Sequence, residues 1–274
     1  MRKPILFFVL IAFNFHAVYA QNTDSTRIFA DSTIHTQFDF PHTFRQKKNF
    51  DYTFHTPQII VPAILLCYGT VAMTSNSLKN FSRTINSDLH PNGVHPFTID
   101  NYSQYVPIVG VYALNLAGIK GAHNYLDLTL IAGTSYVIAG ILGEGLKHIV
   151  GEMSPDLSDR FSFPSGHTLV SFTGAEIVWQ EYKDVSVWYG IGAYTIAAGT
   201  GFLRMYNDKH WFHDVVMGAG IGIISAKIAY WSFPLENRLF KKIFKMKDNS
   251  LIKSTSIIPY YSGTQYGAGV AFGL

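Results

Sequence analysis

Residues 163–182 read FPSGHTLVSFTGAEIVWQEY and residues 203–215 read LRMYNDKHWFHDV. In the first stretch Phe163-Pro164-Ser165-Gly166-His167 opens an apolar run of helical length. Gly166 lets the backbone turn, so the first amides of the helix face outward without intrahelical partners and form a ready anion site. In the second, Arg204 ends one apolar segment, His210 follows six residues on, and Asp214 comes four residues after that at the start of the next segment. Lys147 closes an earlier apolar segment in the same manner. Helices that start where their predecessors end, joined by short connections in an antiparallel bundle, bring all of these residues to one face.

Two cations, one helix N-terminus and two imidazoles converging on one pocket describe a site for phosphate. The cations and amides neutralise phosphate oxygens, and the imidazoles do proton or nucleophilic work. Asp214 lies one helical turn from His210, within reach of a ring nitrogen. A carboxylate there fixes the tautomer and raises the nucleophilicity of the other nitrogen.

Composition restricts the setting. Of 274 residues, 48% are hydrophobic, 15% aromatic and 14% charged, whereas a soluble domain carries about 25% charged residues. Twenty-three glycines and a mean hydropathy of +0.14 point the same way, since apolar glycine-containing helices are more frequent in bilayers. A net charge of +3 without a basic, aromatic-laced stripe excludes a nucleic-acid partner. The lone Cys67 excludes an internal disulfide and a cysteine-held zinc.

Six apolar segments are expected as helices: Ile59–Met73, Tyr105–Ile119, Leu128–Leu142, Thr168–Tyr182, Val185–Leu203 and Val215–Phe233. The expected architecture is an all-α, six-helix bundle embedded in a membrane. Its boundaries are a signal peptide at 1–20 (basic Arg2 and Lys3, an apolar run, then Val18-Tyr19-Ala20), a polar N-terminal arm at 21–58, a helical domain at 59–235 and a basic tail at 236–274. The tail holds Lys241, Lys242, Lys245 and Lys247, then two β-favouring runs flanking Ser262-Gly263-Thr264-Gln265, the pattern of a β-hairpin. Positive-inside counting favours one of the first two segments as re-entrant or surface-lying, which turns the loop after the third toward the periplasm.

Lys147-x6-Ser154-Pro155, Pro164-Ser165-Gly166-His167 and Arg204-x5-His210-x3-Asp214 resemble the three-part signature of the type 2 phosphatidic acid phosphatase superfamily, which shares its fold with vanadium haloperoxidases and bacterial acid phosphatases. The likeness covers about residues 59–235. It implies phosphoester hydrolysis without a metal or other cofactor, through a phosphohistidine. His210 attacks phosphorus, Asp214 orients it, and His167 protonates the leaving oxygen. Lys147, Arg204, Ser165 and Gly166 hold the phosphate. The implied substrate is a phosphorylated lipid in the membrane of a bacterial envelope, with the site facing the periplasm. One departure stands out: the family has arginine where this chain has Ser154, which replaces a charged fork by one neutral hydrogen bond. Arg160, in the following loop, is the candidate substitute. Two alternatives stay open beside the lipid phosphatase: a non-specific periplasmic acid phosphatase, and a lipid-phosphate-binding protein weakened in catalysis by Ser154.

The remaining polar residues have plainer readings. His210, His213 and Asp214 can be read as metal ligands on one helix turn, but no further protein ligand is evident, and Lys209 and Arg204 repel a cation, so no metal is expected. Glu144 and Glu176 read as members of structural ion pairs, and Lys227 as a side chain that snorkels or faces the bundle interior.

Overall fold

The computed structural model describes residues 50–243, together with the backbone of strands β1 (Ser254–Tyr261) and β2 (Tyr266–Gly273). The expected signal peptide, most of the expected arm, the hairpin turn and Lys245 and Lys247 lie outside the described residues. Eight helices follow one another among the described residues: α1 (Pro57–Thr74), α2 (Asn76–Leu89), α3 (Asp100–Ser103), α4 (Val106–Leu116), α5 (Tyr125–Val150), α6 (Gly166–Tyr182), α7 (Val187–Tyr206) and α8 (Phe212–Ile243). The six expected segments correspond to α1, α4, α5, α6, α7 and α8. α2 is not among the expected segments because NSLKNFSRTINSDL is amphipathic rather than apolar, nor is α3, a four-residue turn of helix. β1 and β2 pair antiparallel, Ser254 opposite Gly273 and Tyr261 opposite Tyr266.

The helix ends are set by local chemistry. Asn124 caps α5 by accepting from the Asp127 amide at 2.9 Å, while Lys147 and His148 sit in its last turn, where positive charge complements the helix dipole. Gly151 ends α5 in the left-handed region at φ 63°, a conformation that costs a Cβ-bearing residue more than glycine. The Ser186 hydroxyl caps α7.

α6 and α8 form the centre. Twelve of the seventeen α6 residues are buried, and α8 buries His213, Asp214 and most of the face from Met217 to Phe233. Two glycines let the pair approach to backbone contact. A Cβ on Gly218 would lie 2.6 Å from the Ser165 carbonyl oxygen, and one on Gly222 would lie 2.6 Å from that of Leu169. This is close small-residue packing of the kind that brings apolar helices together, and it presses the start of α8 against the start of α6. Between the two helices Glu176 and Lys227 form a buried ion pair at 2.7 Å. The Glu176 carboxylate also accepts from Gln180 at 2.6 Å and from the Tyr194 hydroxyl. Lys227 thus faces the interior, and Glu144 pairs with Lys147 at 3.0 Å.

At the opposite end of the bundle, buried Glu181 accepts from the His123 ring at 2.7 Å and the Tyr230 hydroxyl at 2.6 Å. Tyr52 donates to the other His123 nitrogen at 2.7 Å, and Phe50 stacks on Tyr230. The end of the expected polar arm therefore packs onto the helices. Outward, the helices are apolar. Ile60, Val61 and Ile64 on α1, Val109 on α4 and Val137, Ile141 and Ile149 on α5 are all exposed. Helices α1, α5 and α8 are long and apolar enough to cross a membrane. α4 has 11 residues, roughly 16 Å at 1.5 Å per residue, about half the hydrocarbon thickness of a bilayer.

Candidate active site

The C-terminal ends of α5 and α7 and the N-terminal ends of α6 and α8 meet at one end of the bundle. From α5 comes Lys147, whose ammonium lies 3.4 Å from the point a Cβ on Gly166 would occupy. From α6 come Ser165, Gly166 and His167. Ser165 is fully buried, and its hydroxyl bonds Thr168 at 2.9 Å instead of capping the helix. The side-chain cap that would occupy the first amides of α6 is thus absent, as anion binding there requires. The Ser165 amide donates to the Asp214 carbonyl at 3.1 Å, which ties the mouth of α6 to the first turn of α8.

His210 and Asp214 are buried side by side. Nδ1 of His210 faces Asp214 Oδ2 at 3.6 Å, an ion-pair distance rather than a hydrogen bond. That oxygen accepts instead from the Ser162 hydroxyl at 2.5 Å and the Trp211 amide at 2.8 Å. Ser162 stands between the two residues, 3.4 Å from His210 Nδ1. Asp214 and Ser162 thus engage the Nδ1 side of the ring and leave Nε2 as the nitrogen available for reaction. Ser162 was missed in the sequence, where nothing marks a serine two residues before Pro164 as a partner of a residue some fifty positions away.

Arg204, from the end of α7, donates to Asp100 Oδ2 at 2.7 Å. Its Nε is buried and has no hydrogen-bond partner among the described residues. His167 is half-buried, and its Nε2 lies 3.0 Å from Asn101 Oδ1, an acceptor that places the ring proton on Nε2. Asp100 and Asn101 both belong to α3, so this short helix lies over the cation and the imidazole together. Burial works to raise the Asp100 carboxyl, but hydrogen bonding and charge from Arg204, aided by Asn207, hold it below its ordinary value. Burial and then the positive charge of Arg204, with His210 and Lys147 adding to it against the opposing pull of Asp100, push the His167 ring down to about 4. Those four groups reach His167 electrostatically, which brings His167, His210, Lys147 and Arg204 into one field.

A bound dianion counters the part of that depression that comes from the cations, because its negative charge offsets theirs, while the larger part due to burial stays. In protein with isotope-labelled histidine, NMR is expected to show His167 titrating near 4 when free and moving upward when orthophosphate is added. A titration unmoved by phosphate contradicts an anion seated beside the ring.

Ser154 is buried and serves its own loop. Its hydroxyl donates to Asp156 Oδ1 at 2.9 Å and accepts from the Asp159 amide at 3.2 Å. Asp156 in turn pairs with Lys209, and its amide donates to the Asp208 carbonyl at 3.1 Å. Arg160 does not join the cluster: it is exposed and makes no hydrogen bond or ion pair among the described residues. The tight turn made by Ser154, Asp159 and the Phe161 amide on Asp159 Oδ1, at 2.8 Å, leaves its side chain in solvent. The structure therefore brings together Lys147, Ser165, Gly166, His167, Arg204, His210 and Asp214, and adds Asp100, Asn101 and Ser162.

Residues 128–238 match the family model described as the PAP2 superfamily. The lipid A 1-phosphatase of Porphyromonas gingivalis is 30% identical over 177 residues, which are 61% of this chain and 38% of that protein. The bacitracin transport permease protein BcrC of Bacillus licheniformis is 25% identical over 118 residues, 39% of this chain and 56% of that one. The chain thus spans between about two fifths and somewhat over half the length of these relatives. Among solved structures, a PAP2-type phosphatidylglycerolphosphate phosphatase from Bacillus subtilis aligns with a TM-score of 0.42 and 18% identity, over 69% of this chain and 98% of that one. LpxE of Aquifex aeolicus aligns with a TM-score of 0.40 and 21% identity, over 53% and 92%. The stretch that matches the PAP2 superfamily model contains Lys147, the Ser165–His167 turn, Arg204 and the His210–Asp214 pair, so the similarity falls on the residues gathered at this end of the bundle.

Proposed function

We propose that the chain is a membrane-embedded phosphatase that removes a phosphate group from a phosphorylated lipid, facing the periplasmic side of a bacterial envelope. The observation that carries this reading is Arg204 Nε, a donor buried in the cluster without a partner. An unsatisfied buried donor is costly and rare in native proteins, and an oxygen of a bound phosphate is the acceptor that satisfies it. In the reaction, Nε2 of His210 attacks phosphorus while the bond to the leaving oxygen breaks. His167, protonated on both nitrogens once the bound dianion has raised its affinity for a proton, gives the Nε2 proton now directed at Asn101 to that oxygen and is left as the neutral ring. Lys147, Arg204 and the α6 amides hold the equatorial oxygens, where negative charge gathers. Water, deprotonated by His167, then attacks the phosphohistidine and releases phosphate from His210. Asp214 steadies the charge on the ring throughout.

The apolar outer faces of α1, α4 and α5 support a lipid substrate that enters from the side. The name of the Porphyromonas relative makes lipid A phosphate the first choice. Ser154, turned into its own loop, favours a second reading in which the pocket binds phosphorylated lipid with weakened turnover. Both are tested with purified protein in detergent and EDTA, given lipid A, phosphatidylglycerol phosphate and p-nitrophenyl phosphate. Phosphate release is expected on a lipid. Arg204→Gln is expected to lower kcat/KM about 100- to 1,000-fold, the loss seen when one charge-stabilising donor is removed. Equal release by both proteins overturns the site assignment, and binding without release selects the second reading.

A further inference from the structure

We propose that Glu152, His213 and Asp214 form an inhibitory site for a divalent transition-metal ion of the Zn²⁺ class, adjoining but distinct from the phosphate pocket. His213 Nε2 lies 3.1 and 3.0 Å from the two Glu152 carboxylate oxygens and 3.4 Å from Asp214 Oδ1. One ligand atom from each residue falls within 4.8 Å of the others. Around a tetrahedral zinc with bonds of about 2.0–2.1 Å, neighbouring ligand atoms stand about 3.3–3.4 Å apart, so the imidazole–carboxylate spacings already suit an ion.

The second observation is Asp214 Oδ1. Asp214 is wholly buried, and while its Oδ2 accepts from Ser162 and Trp211, Oδ1 has no hydrogen-bond partner among the described residues. A buried carboxylate oxygen left without a donor is a ready lone pair for a cation. The outer support that a ligating histidine needs is also present. Ser82 Oγ, on α2, lies 2.9 Å from His213 Nδ1, and a hydroxyl that accepts from Nδ1–H leaves the Nε2 lone pair to the ion. Without an ion, the hydrogen bond between Nε2 and Glu152 holds the same three groups together. One imidazole and two carboxylates favour zinc, nickel or cobalt over magnesium, which demands an octahedron of oxygens.

Access is through a cleft of ≈ 180 Å³ lined by Lys79, Arg83, Glu152, Met153, Trp211 and His213. Lys79 and Arg83 repel a cation at its rim, which sets a moderate rather than a tight affinity. The sequence offered no third ligand because Glu152 lies some sixty positions before His213; the loop after α5 supplies it. The inhibitory consequence rests on the phosphatase reading above. A metal on Oδ1 draws negative charge away from the carboxylate that supports His210, so the nucleophile is less well stabilised as it becomes cationic.

The test is calorimetric titration of ZnCl₂ into the full chain in detergent and a non-chelating buffer, beside Glu152→Gln and His213→Gln. Glutamine at 152 keeps an oxygen for the His213 hydrogen bond while removing the charge, so this variant is expected to fold and to keep its basal phosphatase activity. One Zn²⁺ per chain is expected in the wild type, bound at least about tenfold more weakly in either variant. Zinc is expected to inhibit phosphate release by the wild type reversibly with EDTA, and to spare Glu152→Gln. Absence of a bound ion, or equal affinity in the wild type and Glu152→Gln, overturns the site. Zinc binding lost in Glu152→Gln, in protein that releases no phosphate under any condition, upholds the metal site and overturns the phosphatase reading instead.

Discussion

His210→Ala is expected to lower kcat by at least about 10,000-fold with the fold intact, since removing the nucleophile of a covalent mechanism eliminates the route rather than weakening one contact. The variant keeps Asp214 bonded to Ser162 and Trp211, so its melting temperature should stay near that of the wild type. Asp214→Asn is expected to fall between the two, because an amide at this position alters the tautomer and the stabilisation of the ring without removing it. The decisive measurement pairs steady-state turnover with a quench at alkaline pH. Wild-type protein mixed with labelled substrate should retain acid-labile, base-stable phosphate, and His210→Ala should retain none. Turnover by His210→Ala within tenfold of the wild type would remove His210 from the chemistry.

The second large effect concerns stability. Lys227→Met leaves the Glu176 carboxylate buried with Gln180 and Tyr194 as its remaining partners. Breaking a buried pair by deleting one member costs about 3–5 kcal/mol, because the other charge stays desolvated and uncompensated. For a chain of this size that corresponds to a drop in melting temperature on the order of 10 °C. Adding Glu176→Gln should recover most of the loss, since two neutral groups of similar volume replace two charges. The comparison is a thermal melt in detergent of the wild type, the single variant and the double. A single variant as stable as the wild type, or a double no better than the single, would show that the pair is not what holds α6 to α8 at that level.

What the sequence determined by itself was the set of residues whose position along a helix fixes where they emerge. Lys147, His167, Arg204, His210 and Asp214 each lie at or beside the end of an apolar segment, so alternation of segment and short connection sufficed to gather them. The spacing of four residues set His210 beside Asp214, although His210 lies in the turn just before α8 rather than on it, and the choice between an inward and a snorkelling Lys227 was made by its pairing with Glu176.

Tertiary structure decided the partners. Ser162 on Asp214, Asp100 on Arg204, Asn101 on His167 and Glu152 beside His213 are contacts across turns and between helices far apart in the chain, where no periodicity links one residue to the other. The same holds for Ser154 and Arg160. Sequence could weigh their charges, but the turn that buries the serine and leaves the arginine in solvent is built from backbone hydrogen bonds within the loop. The length and apolarity of the segments record which stretches become helices, and their short connections set the bundle. The direction in which a loop side chain leaves the backbone depends on contacts that exist only after α6 and α8 have closed on each other through Gly218 and Gly222.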